Sequence, residues 1–122
     1  MPRDSKARLA DIVEATERIE SYVSGLTPEL FRSDRKTVDA VVRNLEIVGE
    51  AVKSLPTEIR ERQPQIPWSR IAGLRDLLIH EYFGVDTEIL WQIAIEKAPE
   101  LNLAVRQILF DLDAADSGLA GQ

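Results

Sequence analysis

The sequence contains no cysteine, a single histidine and one methionine. Without cysteine there is no disulfide, no thiolate nucleophile and no Cys-based zinc site. With a lone histidine there is no HExxH or paired-histidine spacing, so a catalytic zinc is not expected and no cofactor is called for. Long apolar runs are also missing: charged residues interrupt every one before the ~20 residues of a membrane helix. The start, Met1-Pro2-Arg3-Asp4-Ser5-Lys6, leads into an amphipathic pattern and not into an apolar signal core. Together these absences predict a metal-free cytoplasmic protein with no membrane segment.

At 122 residues the chain has the size of one domain. A chain of this length buries roughly two-thirds of the surface its unfolded form exposes, enough to fold without covalent staples. The expected domain covers residues 1–116, and the small, polar residues 117–122 form a tail that frays. The formal net charge of −6 opposes non-specific nucleic-acid binding, which depends on Lys and Arg neutralising phosphates. The charge is unevenly spread, however. Asp111, Asp113 and Asp116 load the C-terminal end, and Arg60, Arg62, Arg70 and Arg75 lie in the middle.

Strand signals are nearly absent, whereas helical periodicity recurs, so the fold class is all-α, a bundle of about five helices. Leu9, Ile12, Val13, Thr16, Ile19 and Val23 form a stripe at spacings of three and four, predicting a helix from about Ser5 to Val23 that stops at Ser24-Gly25. Thr27-Pro28-Glu29 reads as a cap and first turn. A second helix starts near Ser33 or Asp34 and stops before Pro56. It is apolar on two sides, with Val38, Val41, Val42, Leu45, Val48, Gly49 and Val52 on one and Ala40, Asn44, Ile47 and Ala51 on the other. Such a helix is central in a bundle or shared with a second subunit. Gly49 costs about 1 kcal/mol relative to alanine inside a helix, which points to close helix approach there. After a capped turn over Thr57 to Gln63, further helices are predicted from Pro67-Trp68 to Tyr82, from Asp86 to Lys97, and from Pro99 onward.

The stretch Arg75-Asp76-Leu77-Leu78-Ile79-His80-Glu81-Tyr82 carries the chemistry. At about 100° per residue, Arg75 falls on the side of Ile71, Leu74, Leu78 and Tyr82, while His80 falls about 140° away, with Gly73 and Asp76. Asp76 and His80 are four apart and can meet on one helix face, where the carboxylate would orient the imidazole and favour its protonated form. A histidine tuned near neutrality serves as general acid or base. An arginine fork binds phosphate bidentately and stabilises developing negative charge. The pair suits RNA cleavage by attack of the 2′-hydroxyl on the neighbouring phosphate. The same spacing also serves a solvated Asp–His pair beside a packed arginine stem, so spacing alone does not name an enzyme.

Three blocks place the motif in a wider pattern: Arg43-Asn44-Leu45-Glu46-Ile47-Val48-Gly49-Glu50-Ala51, Ile66-Pro67-Trp68, and Gly73 to Asp86 with its Leu78-Ile79-His80-Glu81-Tyr82-Phe83-Gly84-Val85-Asp86. Over about residues 8 to 110 the chain resembles the HepT-like branch of the HEPN superfamily. That family's motif, an arginine, usually a polar residue next, and a histidine after four to six residues, matches Arg75, Asp76 and His80. The resemblance implies a helical bundle that dimerises, with two motifs facing each other across an RNase cleft; a partner chain would also bridge the 140° gap estimated above. It also implies a toxin partnered by a small MNT-type nucleotidyltransferase antitoxin, with Tyr82 as a target for AMP transfer. A helix-end tyrosine with its hydroxyl in solvent is the plain alternative for Tyr82.

Other residues carry weaker expectations. Asn44 sits on an apolar stripe, where its amide needs partners, and serves helix packing, a dimer contact or the cleft. Arg43, Glu46 and Glu50 share a polar face and read as a surface ion-pair network before a substrate contact. Trp68 and Trp91 read as core or interface anchors. Two functions therefore compete: a ribonuclease toxin, favoured by Arg75 with His80, and a non-catalytic helical adaptor that binds a nucleotidyltransferase or nucleotide, favoured by the acidic net charge.

Overall fold

The apolar stripe of the first segment builds α1, Arg3–Val23, with Leu9, Ile12 and Ile19 fully withdrawn from solvent. The computed structural model describes residues 3–81, 86–116 and 118, and for residues 3 and 79–81 the backbone alone. Gly25 ends the first helix at φ 78°, a left-handed conformation that costs glycine nothing because it has no Cβ. Thr27 then caps α2, Pro28–Ser33, its side chain accepting from the Leu30 amide at 3.2 Å. This short helix seats buried Phe31 against Trp91, with ring centroids 5.4 Å apart.

Asp34 starts α3, Arg35–Lys53, by accepting from the Thr37 hydroxyl at 2.8 Å and the Thr37 amide at 3.3 Å. Those two bonds favour the charged form and hold the Asp34 carboxyl below its usual range. α3 packs on both α1 and α5, and its buried residues come from both of its apolar sides. Ala40 and Ile47 stay half-buried.

The turn expected after Pro56 is α4, Thr57–Arg60, but no side chain caps it, because its first position follows a proline that has no polar group to offer. Arg60 instead reaches back to the end of α3, donating to the carbonyls of Val52 at 2.9 Å and Leu55 at 3.2 Å. The Val52 carbonyl already accepts from the Leu55 amide at 3.0 Å, so the arginine adds a second bond there and supplies one to the Leu55 carbonyl, which lies beyond the helix. Trp68 opens α5, Trp68–Glu81, and its indole N–H donates to the carbonyls of Arg60 and Gln63 at 2.9 and 3.0 Å. Both tryptophans are core residues.

Asp86 caps α6, Thr87–Gln92, through a 2.8 Å bond from the Glu88 amide. The break expected before Pro99 does not occur. A π-helical turn, Ile93–Lys97, carries the chain without interruption into α7, Ala98–Asp116. A proline inside a helix lacks the amide of the ordinary bond and its ring presses on the carbonyl four residues back. The widened turn just before it, in which the Ala98 amide bonds to the Ile93 carbonyl, accommodates the ring. The result is one long helical arm where the sequence predicts two helices.

No described residue lies in a strand, and the architecture is an all-α bundle. In it α1 packs between α3 and α7, and α3 packs between α1 and α5. Asn102 of α7 donates to the Thr16 hydroxyl of α1 at 2.9 Å, and Lys6 pairs with Asp113 at 3.0 Å and with Asp116. None of the described helices is long and apolar enough to cross a membrane.

Candidate active site

The position of Arg75 follows from a glycine. A Cβ built on Gly49 of α3 would stand 2.9 Å from Arg75 Cβ, 3.0 Å from Arg75 N and 3.1 Å from the Ile71 carbonyl oxygen. Any larger residue would push α5 away, so the missing side chain lets the two helix backbones nearly touch. This is the close approach that a glycine in the middle of a helix predicts.

Arg75 lies on the packed side of α5 with Trp68, Ile71 and Leu78, as the helical spacing predicts, and its stem covers Gly49. Its side chain remains 36% exposed, with the guanidinium emerging at the rim of the α3–α5 contact. There Nε forms an ion pair with Glu50 Oε2 at 2.6 Å, and Nη1 donates to Asp76 Oδ1 at 3.3 Å. The fork is thus held by one carboxylate from each helix.

The rim opens into a cleft of about 280 Å³ between α1, α3 and α5. Its charged walls are Arg8 and Asp11 of α1, Arg43, Glu46 and Glu50 of α3, and Arg75. The cleft balances three arginines with three carboxylates, in contrast with the net negative charge of the whole chain. Arg43 is largely exposed and reaches Glu46 at 3.9 Å. Of the other arginines, Arg60 is turned inward on α3 and Arg70 lines a separate cavity, so they form no single basic face with Arg75.

Asn44 is 5% exposed and lies in the packed part of α3, away from the cleft walls. Its amide donates to the Ala40 carbonyl at 2.9 Å, while Oδ1 has no partner among the described residues. The backbone of His80 belongs to α5, but its side chain lies outside the described residues, as does Tyr82 entirely. The expected Asp76–His80 contact therefore falls outside them too. What is seen is Asp76 beside Arg75, on an exposed part of the helix shared with Gly73.

Sequence reasoning assigned Glu50 to a surface network on its own helix and did not join it to Arg75. It also passed over Arg8 and Asp11. The signal for Glu50 was its place next to Gly49: where two backbones touch, the neighbouring residue is the one able to reach across. Arg8 and Asp11 had a weaker signal, a spacing of three that puts both on one face of α1.

A family model described as ribonuclease HepT-like matches residues 12–108, most of the chain and every helix named above in whole or in part. The chain belongs to the HepT-like family. A Methanocaldococcus jannaschii protein named "Putative RNase MJ0127" is 43% identical over 117 residues, 95% of this chain and 97% of that protein. A Thermococcus cleftensis protein named "Probable ribonuclease HepT" is 46% identical over 102 residues, 84% of this chain and 93% of its own length. No solved structure matches.

Proposed function

We propose that this HepT-like chain is a metal-independent endoribonuclease, with Arg75 and His80 as its catalytic pair and Asp76 as the residue that positions them. The observation that carries the reading is the setting of Arg75. Its stem is locked against Gly49, its fork emerges at the rim of a cleft, and the chain's one histidine follows five residues later on the same helix. The relatives named as ribonucleases support the same activity.

In this reading the arginine fork exchanges a carboxylate for the scissile phosphate and stabilises the charge that builds on it. The His80 imidazole accepts the proton of the 2′-hydroxyl, whose oxygen attacks phosphorus. The bond from phosphorus to the 5′-oxygen breaks, that oxygen is protonated, and a 2′,3′-cyclic phosphate remains. DNA has no 2′-hydroxyl and is not cut. A homodimer completes the site by setting two motifs across a two-fold axis. Leu77, 45% exposed on α5 beside the motif, together with half-buried Ala40 and Ile47 on α3, supplies apolar surface for that contact.

The enzyme acts as the toxin of a pair in the cytoplasm, and an MNT-type nucleotidyltransferase silences it. The Tyr82 hydroxyl attacks the α-phosphate of ATP, AMP is transferred and pyrophosphate leaves. A nucleotide on a residue seven positions after Arg75 in sequence competes with RNA as a tethered ligand.

Purified protein incubated with RNA in EDTA tests the central reading. Cleavage to cyclic-phosphate ends by the wild type, and none by His80→Ala, is the expected result; a His80→Ala protein as active as wild type would remove the assignment. Intact-mass measurement after co-expression with a cognate MNT-type nucleotidyltransferase tests the modification, and an unmodified Tyr82 in a neutralised pair rejects it.

A further inference from the structure

A second and larger cavity lies beside the α3–α5 contact, on the flank of α5 that carries Arg70 and Leu74. It measures about 490 Å³, within the usual range of small-molecule sites, and opens between α5, the π-helical turn and the start of α7. Ile66, Ile71, Leu74, Ile93 and Leu101 make its walls apolar. Arg70 and Lys97 are its cations, both exposed, and neither has an ion-pair partner among the described residues. Glu100 is the sole carboxylate on the lining, which leaves the cavity with one excess positive charge.

The cavity continues inward. A narrow void of about 40 Å³ shares Ile71, Leu74, Ile93, Lys97 and Leu101 with it and reaches Leu45 and Val48 of α3. The π-helical turn forms the wall common to both spaces, presenting Ile93 and Lys97 from one turn. Such turns recur at functional sites, and here the widened turn faces Ile71 and Leu74 of α5 across the cavity.

The geometry points to a binding site for a medium-chain carboxylate, its head between Arg70 and Lys97 and its alkyl tail directed along Ile71 and Ile93 toward Val48. The chemistry selects this class over its rivals. A nucleobase would set most of its hydrogen-bonding edge against isoleucine and leucine, with Gln65 as the one side-chain amide on the lining, and leave groups unpaired. A dianion exceeds the one net positive charge of the lining. A neutral hydrocarbon leaves both cations unused. An unbranched tail suits a space that narrows as it deepens, and each methylene withdrawn from water tightens binding by about fourfold. The inference is independent of the ribonuclease reading, because neither cation belongs to the cleft that holds Arg75.

Isothermal titration of the full chain with decanoate, below its micellar concentration, is the test. One equivalent is expected to bind, with octanoate weaker by about fifteenfold for its two fewer methylenes. Decanol, which lacks the charge, and Arg70→Gln/Lys97→Gln, which lacks the cations, should each bind about tenfold more weakly than the native pair. Both substitutions are at exposed positions, so folding is not at stake. Ile93→Trp, checked for native helicity, should abolish binding by filling the neck. No decanoate binding, equal binding of acetate, equal binding of decanol, or an unaltered affinity in the double variant would each overturn the proposal.

Discussion

The two flanks of α5 are built on opposite principles. Toward α3 the helix is in backbone contact, the gap is closed at Gly49, and what remains at the rim is a charge-balanced cleft. Toward the π-helical turn the contact is loose, and a cavity remains whose walls are apolar and whose mouth carries two cations without ion-pair partners among the described residues. The difference separates two tasks. In the proposed reading Arg75 takes a phosphate, which needs a fixed origin for its long side chain, and a backbone clamp supplies it at the cost of tolerating no change. A helix held only from one side can leave room on the other.

The largest effects should come from the motif on the clamped side. Arg75→Ala and His80→Ala are each expected to lower RNA cleavage by about 10²- to 10⁴-fold, the usual worth of a positioned proton-transfer or charge-stabilising group. The fold should survive Arg75→Ala, because alanine keeps the Cβ that packs on Gly49. Single-turnover cleavage alongside thermal melting checks both halves of this. Full activity in either variant with unchanged melting would place the chemistry elsewhere.

The clamp itself can be broken with one methyl group. Gly49→Ala puts a carbon within 3.1 Å of three atoms of α5, two of them backbone, so no rotamer change relieves it. Overpacking of this kind costs about 1–3 kcal/mol, and denaturant titration should show a loss in that range despite the better helix propensity of alanine. Gly73→Ala is the matched control, in α5 and exposed, with nothing within 4 Å of the added carbon. There the propensity gain is unopposed, and a stabilisation of about 0.5–1 kcal/mol is expected. Equal effects of the two substitutions would mean that the helices are not in contact at Gly49.

The same contrast explains what was legible in the sequence. The clamped side follows local rules. The two apolar sides of α3, the cost of Gly49 within it and the placement of Arg75 with Ile71 and Leu78 all come from helical period and propensity. The link from Glu50 to Arg75 is a contact between helices of 2.6 Å, set by crossing geometry that no spacing encodes. The loose side was illegible for a different reason. Pro99 reads as a helix start because proline tolerates a first turn, yet here a π-helical turn absorbs it, and the choice depends on the packing of the whole arm. The cavity takes Ile93 and Lys97 of that turn into its wall.

The smallest effect expected is also the one that tests whether the clamp feeds the chemistry. Glu50 occupies Nε of Arg75 at 2.6 Å, and a phosphate approaching the fork has to compete with it. Both partners are more than a third exposed, so water and salt screen the pair and it contributes at most about 1 kcal/mol. Glu50→Gln keeps the shape and a hydrogen-bonding oxygen but removes the charge. If Glu50 mainly competes with RNA, KM should fall by up to about fivefold, the equivalent of that energy, with kcat nearly unchanged. The gain should shrink as salt rises, because screening already weakens the native pair. If Glu50 instead holds the fork in its working direction, kcat falls while KM stays, and Glu50→Gln would separate a guard from a splint. The exposed position of the pair and the presence of Asp76 as a second holder of the same guanidinium favour the guard. A fall in kcat without a change in KM would reverse that choice and make the α3 carboxylate part of the positioning apparatus of Arg75.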